Sequence, residues 1–396
     1  MRVPYALSFY DDLEIEAVLR VLKSGNTMAG SNMETLEKNI SSSFGHKYGV
    51  MCNSGSSALT LGLGAFNLPK GSEVITPALT FATTVATIIQ ADLVPVLIDS
   101  EVSSLNVDVN NLEAAISDKT KAIVIPDLMG NFCDWDYVKD FAKQHNLLVL
   151  HDSADTIGHT LNGTPVGTRA DISTTSLYGA HIINGAGNGG MVVTSNIDFA
   201  NRMRKLRSWG RESALFGESE DASLRFNCKI DHIDYDQKFV FSDVGYNIEG
   251  SEISAAFANV QFSKLEEFKK RRRYIFDRHT EFVKKHEGTF IVPTEVPGAE
   301  VVWYAFPIIL NKDVKFTRTE LQVFLESKDI QTRPVFAGNI ARQPGFKNQN
   351  MRISGDLSGA DYVMEYGLVI GCHQGMNDEH ADWVHKSLEE FLSQNS

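Results

Sequence analysis

Short apolar runs typical of buried strands alternate with segments of helical periodicity, and this alternation constrains the fold more than any other feature of the sequence. Strands separated by helices favour a mainly parallel sheet with helices on both faces. The chain has 396 residues, 43% of them apolar and 22% charged, which is enough for one large globular domain and a smaller one. The predicted strands are Tyr48 to Cys52, Glu73 to Ile75, Val94 to Ile98, Ala122 to Ile125 and Leu147 to Leu150.

Helices are predicted before the first strand and again in the second half of the chain. The stretch from Asp11 to Gly25 has acidic residues in its first turn and a glycine after its end, as the helix dipole and C-cap geometry favour. A second helix is predicted from about Asn32 to Phe44. One long helix, from Ser251 to about Lys285, is interpreted as the connector between a large domain, 1–255, and a small C-terminal α/β domain, 256–396. The small domain is predicted to contain strands at Val301 to Leu310 and Ile330 to Arg333, and helices at Thr317 to Ser327 and from Asp378.

The segment from about Ser208 to Asn247 has no long periodic pattern. It is too long to be an idle connection in a compact domain. We therefore predict that it lies over a site or a subunit interface.

Charge and cysteine content exclude several classes of function. A net charge of −13 argues against a nucleic-acid partner, because phosphate neutralisation needs a basic face. No apolar run approaches the length of a membrane span and no signal-peptide pattern is present, so a cytoplasmic protein is expected. The four cysteines are far apart and form no C-x-x-C pair, so neither a metal site nor a disulfide framework is predicted.

An anion site is predicted between Asn53 and Ala58. These residues follow an apolar strand and open a helix, so free backbone N–H groups and serine hydroxyls would converge on one spot. A phosphate group suits such a spot. The alternative interpretation is a serine-capped helix that binds no ligand.

A carboxylate is predicted at the edge of the same sheet. Asp152 follows the apolar run Leu147 to Leu150, and open α/β sheets bind ligands at the carboxyl ends of their strands. The alternative role for Asp152 is that of a turn or helix-capping aspartate.

The segment from Ser176 to Gly190 combines a serine, a histidine and a glycine-rich turn between two strand-like runs. With Asp152 upstream, its spacing resembles the cofactor-binding segment of the DegT/DnrJ/EryC1/StrS sugar aminotransferases, in which a lysine stands where this chain has His181. The resemblance covers nearly the whole chain. It implies an α/β fold of the aspartate aminotransferase type, which is fold type I of the pyridoxal phosphate enzymes.

The histidine decides which chemistry the resemblance implies. A pyridoxal enzyme normally holds its cofactor on a lysine amine, and an imidazole forms no stable equivalent. No lysine lies between Lys143 and Lys205 to substitute for it. The family branch with histidine at this position is the 3-dehydrases of nucleotide-linked 4-keto-6-deoxy sugars, which use pyridoxamine 5′-phosphate. His181 is therefore expected to be the acid–base catalyst, although a lone histidine is usually structural.

The resemblance also implies the residues that bind cofactor and substrate. Asp152 would keep the pyridine nitrogen protonated and Phe81 would stack on the ring. The active site would be shared in a homodimer, with Asn247 supplied by the partner; interface or ion-pair roles are the alternative for Tyr246, Asn247 and Arg333. The expected cofactor contacts are Gly55, Ser56, Ser57, Phe81, Asp152, Asp155, Ser176 and Asn247, and the expected substrate contacts are Tyr178, Tyr246, Arg333, Asn339 and Arg342.

The source of electrons is inferred from missing cysteines. The CDP-sugar enzymes of this branch carry three clustered cysteines after a Trp-Gly-Arg, which with a fourth hold an iron–sulfur centre. None of the three aligned positions after Arg211 is a cysteine here, and Cys228 stands alone, whereas such clusters need four ligands. We therefore expect no cluster. The chain then resembles the 3-dehydrases that have the histidine without the cluster, and this resemblance implies glutamate as the amino donor and GDP-4-keto-6-deoxy-D-mannose as the substrate.

Three other functions remain open at this stage. A sugar aminotransferase without the lysine would yield a stable amino sugar. A CDP-4-keto-6-deoxyglucose 3-dehydrase would depend on a reductase, and a regulatory protein on the same scaffold would bind no pyridoxamine phosphate. Gly179, Ile182 and Asn188 stand where the family more often has proline, histidine and an acidic residue.

Overall fold

An eight-stranded sheet forms the centre of the larger part of the chain in the computed structural model, which describes residues 1–215 and 222–395 apart from the side chain of Leu224. Seven of its described strands run parallel, and Gly190–Thr194 runs antiparallel to both neighbours. The α/β fold class and the five predicted strands are confirmed. The strand order is Tyr48–Cys52, Gly190–Thr194, Ile172–Ser176, Leu148–Asp152, Thr120–Pro126, Glu73–Pro77, Val94–Ile98 and Arg352–Ile353.

Helices cover both faces of this sheet. Successive side chains of a strand point to opposite faces. Val50 accordingly packs in one apolar core with Leu59, whereas Met51 packs in another with Leu36 and Ala255. The α-helices of this part are Asp12–Ser24, Ser31–Ser43, Gly55–Phe66, Ala82–Gln90, Leu112–Ala115, Trp135–Gln144, Ile197–Arg207, Ala222–Arg225 and Glu252–Ser263.

A second sheet lies in the C-terminal part of the chain. Its four strands are all antiparallel to their neighbours, in the order Phe290–Ile291, Ala305–Leu310, Gly367–Gly371 and Arg333–Pro334. Its helices are Leu265–Lys284, Arg318–Ser327, Ser358–Tyr366 and Asp378–Gln394. The smaller elements of the whole chain are the strands Thr160–Leu161, Thr164–Pro165, Cys228–Ile230, Ile233–Tyr235 and Ala299–Glu300, and the 3-10 turns Val109–Asn111, Leu128–Gly130, Val166–Arg169, Glu212–Leu215, Gln237–Phe239 and Ile340–Arg342.

The single connecting helix predicted from Ser251 to Lys285 is wrong. The helix ends at Ser263 and a new one begins at Leu265. Lys264 forms the joint, and its ammonium group contacts Glu14 at 2.7 Å and Asp11 at 2.9 Å in the N-terminal part of the chain. No glycine or proline marks this break, so the helical pattern carries no sign of it. The domain boundary at residue 255 stays a prediction.

The segment 208–247 carries little regular structure in its described part. A short hairpin joins Cys228–Ile230 to Ile233–Tyr235, and several apolar side chains are exposed, among them Phe226, Phe239 and Val244. The predicted absence of a cysteine cluster falls partly on 216–221, which lie outside the described residues. Among the described helices, none is both long and apolar enough to cross a membrane.

Candidate active site

A cavity of about 440 Å³ lies at the carboxyl ends of the parallel strands, as the strand order predicts. Its walls come from both sheets and from the N-terminal segment. The lining includes these predicted site residues: Gly55, Ser56, Phe81, Asp152, Asp155, Ser176, Tyr178, His181 and Arg333. It also includes residues that were not predicted as site residues: Tyr5, Ser54, Leu59, Thr83, Thr84, Ala154, Asn188, Tyr304, Pro334 and Phe336.

The start of helix Gly55–Phe66 forms one end of the cavity. Ser54 caps the helix, with its hydroxyl accepting a hydrogen bond from the Ser57 N–H at 3.1 Å. The Ser57 hydroxyl donates to Asn53 at 2.6 Å, so it supports the cap and does not line the cavity. Ser56 does line it. The remaining free N–H groups of the first turn make this end an anion site.

Close contact between two chain segments explains the glycine at this end. A Cβ atom on Gly55 would lie 2.7 Å from the Cβ of Ser176, a separation that real side chains do not tolerate. Gly55 therefore lets the last residue of strand Ile172–Ser176 approach the helix start. The two serines Ser56 and Ser176 are thereby brought to the same cavity.

Two buried carboxyl groups line the floor of the cavity. Asp152 accepts hydrogen bonds from the Thr84 hydroxyl at 2.8 Å and the Ala154 N–H at 3.2 Å. Asp155 accepts one from the Met129 N–H at 3.0 Å. Burial raises the pKa of Asp152 and raises that of Asp155 well above its usual value. Neither carboxyl forms a salt bridge with a described residue, so a cationic ring nitrogen would be a fitting partner.

His181 lies in the irregular segment after strand Ile172–Ser176. Its ring centroid is 5.3 Å from that of Tyr304 and 6.0 Å from that of Tyr178. Burial lowers the pKa of His181 to about 4. The Nδ1 atom is buried and makes no hydrogen bond of normal geometry with a described residue, although the nearby Ala154 backbone partly offsets the lowering of the pKa. The imidazole is therefore neutral near pH 7 and able to accept a proton.

Aromatic rings form the upper wall. Phe81 is 51% exposed, and its ring meets that of Phe336 edge-on at a centroid distance of 5.5 Å. An aromatic side chain left half-exposed beside a cavity provides a face on which a planar ring can stack. Sequence reasoning missed Phe336 although it lies three residues from Arg333, because an isolated phenylalanine is usually a core residue.

A cation and two tyrosines close the remaining side. The Arg333 guanidinium lies 5.5 Å from the Tyr5 ring centroid, and the Tyr5 hydroxyl donates to that of Tyr304 at 3.0 Å. Burial raises the pKa of both tyrosines, so both stay protonated donors. Tyr5 comes from a segment with no periodic pattern, and no sequence signal connected it to a site 300 residues away.

Several predicted residues lie outside the cavity of this single chain. Asn339 donates to Asp361 at 2.7 Å, and Arg342 forms a two-pronged ion pair with the same carboxylate. Both therefore hold a loop to helix Ser358–Tyr366. Tyr246 and Asn247 lie beside the end of helix Ile197–Arg207, through the Tyr246 N–H to Leu206 bond at 2.7 Å and a bridge between Ser208 and Asn247.

A buried polar cluster that the sequence did not indicate lies behind Asp152. The Nε2 atoms of His151 and His159 are 2.5 Å and 2.7 Å from one carboxylate oxygen of Asp127. The His151 contact is a hydrogen bond and the His159 contact is an ion-pair separation, and both are shorter than the distances between ligands of one metal ion. Although burial opposes it, the two imidazoles lower the pKa of Asp127 to about 2. The cluster is best described as an ionised carboxylate held by two histidines.

Comparison with known proteins identifies relatives over almost the full length of the chain. The sequence pattern of the DegT/DnrJ/EryC1/StrS aminotransferase family matches residues 9–389. A Saccharopolyspora spinosa protein named dTDP-4-dehydro-2,6-dideoxy-D-glucose 3-dehydratase is 35% identical over 93% of this chain and 82% of its own. A Yersinia pseudotuberculosis protein named GDP-4-keto-6-deoxy-D-mannose 3-dehydratase is 30% identical over 94% of each chain.

Solved structures give the same result. Two crystal structures of GDP-4-keto-6-deoxymannose-3-dehydratase, one with bound GDP-perosamine and one with a trapped PLP-glutamate geminal diamine, match with a TM-score of 0.89 at 28% identity. The match covers 98% of this chain and 100% of theirs. The predicted resemblance and the predicted fold type are confirmed.

Proposed function

Because the chain belongs to the DegT/DnrJ/EryC1/StrS aminotransferase family, we propose that it is a pyridoxamine phosphate-dependent 3-dehydratase of a nucleotide-linked 4-keto-6-deoxyhexose. The observation that carries the proposal is the neutral imidazole of His181 in a cavity whose described lining contains no lysine. An aminotransferase of this family relies on a lysine amine at that place. The proposed substrate is GDP-4-keto-6-deoxy-D-mannose and the proposed amino donor is glutamate.

The cavity fits the cofactor, which this chain would use as pyridoxamine and pyridoxal 5′-phosphate. Ser56, Ser176 and the helix start at Gly55 would hold the phosphate. Asp152 would bind the ring nitrogen and Phe81 the ring face. When bound, the cofactor supplies an amine that condenses with the substrate ketone and a ring that accepts an electron pair.

The described residues account for the proton movements. His181 removes a proton from the methylene carbon of the cofactor, for which a neutral imidazole is required. Asp152 keeps the ring nitrogen protonated, because the pyridinium beside it favours the ionised carboxylate and reverses the effect of burial. The imidazolium of His181 then donates to the C3 hydroxyl, which leaves as water.

The overall reaction removes one oxygen atom from the sugar and keeps its C4 ketone. When bound, the amine form of the cofactor would supply the two electrons for this deoxygenation and the nitrogen that leaves as ammonia. Glutamate would restore the amine. An iron–sulfur centre and a reductase are therefore not needed in the proposed cycle.

A substrate panel tests the proposal. The protein is incubated with pyridoxamine phosphate, glutamate and GDP-, CDP- or dTDP-linked 4-keto-6-deoxyhexoses, and the products are identified by mass. Loss of one oxygen atom from the sugar supports the dehydratase. Replacement of the C4 oxygen by an amine would identify an aminotransferase, and failure to bind pyridoxamine phosphate would favour a regulatory protein.

The identity of the nucleotide on the substrate is the most specific part of this proposal. The relative named for a dTDP-sugar is more similar in sequence than the one named for a GDP-sugar, so a dTDP-linked substrate is the second candidate. The ratio of kcat/KM values across the panel separates the two. Purified protein should also be free of stoichiometric iron. Bound iron together with reductase-dependent activity would mean that an iron–sulfur centre and a reductase, and not glutamate, supply the electrons.

A further inference from the structure

Arg272 is a buried cation without a buried anion. It lies in helix Leu265–Lys284 and is 1% exposed. Its guanidinium donates to the Gln374 side chain at 2.8 Å and to the carbonyl groups of Trp303, Tyr304 and Cys372 at 3.0 Å each. No described carboxylate pairs with it. Buried arginines are normally paired with an acid, so a charge held only by neutral oxygens requires an explanation.

The hydrogen bonds of Arg272 lead to His181 by two routes. Gln374, which accepts from Arg272, donates its own amide N–H to the Ile182 carbonyl at 3.2 Å, directly after the histidine. Tyr304, whose carbonyl also accepts from Arg272, places its ring beside the imidazole at 5.3 Å. The arginine thus fixes both the segment that carries His181 and the ring that packs against it.

The charge of Arg272 also acts on the imidazole. Burial and this positive charge together lower the pKa of His181 to about 4. Arg272 is the one described ionic group that contributes to this shift. The other ionisable groups around the cavity are Tyr5, Asp152, Asp155, Tyr178, Tyr304 and Arg333.

We propose that Arg272 is a positioning residue for proton transfer, which orients the His181 imidazole through Gln374 and Tyr304. Its positive charge also disfavours the protonated form of the ring, in addition to the larger effect of burial. This inference rests on the proposed role of His181 as the base. It explains why a costly buried cation stands 91 positions away from the histidine in a different part of the fold. A neutral ring can accept a proton, and the imidazolium formed beside a cation gives its proton up readily.

The test is the titration of His181 in the protein loaded with pyridoxamine phosphate. Histidine Cε1 resonances are followed by NMR from the lowest pH at which the protein stays folded up to pH 8, and His181→Asn identifies the signal. In Arg272→Met we expect the midpoint to rise by about one pH unit, because the charge that disfavours the imidazolium is removed while the larger effect of burial remains. Arg272→Lys is the control that keeps the charge, and its midpoint should stay within about half a unit of the original.

Gln374 provides a second arm in which Arg272 is untouched. Gln374→Glu keeps an acceptor for the guanidinium but adds a neutralising charge, so the His181 midpoint should rise. Gln374→Leu breaks the link to Ile182 and leaves the charge, so kcat should fall without any shift of the midpoint. These variants decide the question if Arg272→Met fails to fold.

The outcomes separate this inference from the proposed reaction. An unchanged midpoint in folded Gln374→Glu would overturn the electrostatic role, and normal kcat in Gln374→Leu would overturn the orienting role. The titration reports on Arg272 whatever reaction the protein catalyses. Failure of the substrate panel with a shifted midpoint would therefore contradict the dehydratase assignment and leave the effect of Arg272 standing.

Discussion

The two ends of the cavity differ in how they are built. The end formed by Ser56, Asp152 and Ser176 lies on strand ends and a helix start, and Asp152 is held there by a buried hydrogen bond from Thr84. The other end includes Tyr178, which lies in an irregular segment and is 58% exposed, and Arg333, which begins the short edge strand Arg333–Pro334. We call the first the rigid end, which suits a resident cofactor, and the second the open end, which suits a substrate that enters and leaves. The comparison therefore predicts which residues act through binding and which through turnover.

The largest expected effect comes from His181, which lies between the two ends. His181→Asn removes the proton acceptor while the contacts of the phosphate and ring remain, so turnover should fall by roughly 10²- to 10⁴-fold. Cofactor affinity, measured by absorbance titration, should change little. Near-normal turnover in this variant would exclude His181 from the mechanism.

A second change at the same position tests whether His181 reaches the reactive atom of the cofactor. In His181→Lys the introduced amine should form a covalent link with the aldehyde of pyridoxal phosphate. Borohydride treatment followed by peptide mass analysis should find the cofactor attached at position 181, with dehydration strongly reduced. His181→Arg is the matched control, because it carries a charge but should not be fixed by borohydride. No attachment in the lysine variant would mean that residue 181 does not face the cofactor.

The rigid end was the more predictable of the two. A serine-rich helix start and an aspartate after a strand have a sequence signature, since parallel strands place both at one edge. The loss of Ser57 from the cavity was not predictable, because its hydroxyl could turn either to the cap or to a ligand. Tyr5 and Tyr304 were missed since they meet only through the packing of distant segments. The helix break at Lys264 was missed for the same reason, since this residue contacts Asp11 and Glu14 only through the packing of distant segments.

Substitutions of Ser56 and Ser57 compare a serine that lines the cavity with one that supports the helix cap, both within the rigid end. Ser56→Ala should weaken pyridoxamine phosphate binding by about 10- to 100-fold, the range expected for loss of a hydrogen bond to a charged group. Ser57→Ala should lower thermal stability slightly through the weakened cap and leave cofactor affinity almost unchanged. Both are measured by cofactor titration and thermal unfolding. Equal losses of affinity would mean that the Ser57 hydroxyl turns to the phosphate when the cofactor binds.

Arg333 and Arg342 provide the corresponding pair at the open end. Arg333 lines the cavity, so Arg333→Met should raise the KM for the nucleotide sugar by about tenfold, the cost of one charge-assisted contact. Arg342 is paired with Asp361 outside the cavity, so Arg342→Met should leave KM within about twofold. Steady-state kinetics at saturating glutamate separate the two. A larger effect at Arg342 would mean that its ion pair opens to bind substrate.

The smallest expected signal comes from the test of whether a second chain completes the site through Asn247, the predicted cofactor contact. Asn247 lies outside the cavity of its own chain, at the end of a segment with exposed apolar side chains, so we expect it to serve the partner's site in a homodimer. Asn247→Ala and His181→Asn chains are each nearly inactive alone. In a mixed dimer, one site would receive His181 from one chain and Asn247 from the other, while the second site would lack both. Random equal mixing makes half of the dimers mixed, so about a quarter of the original activity should return.

The two chains carry different affinity tags, so that mixed dimers can be purified and their activity measured directly. Each purified mixed dimer should then have about half of the original activity. Purified mixed dimers that stay inactive would show that the site is complete within one chain. The two ends would then differ only in how exposed their side chains are.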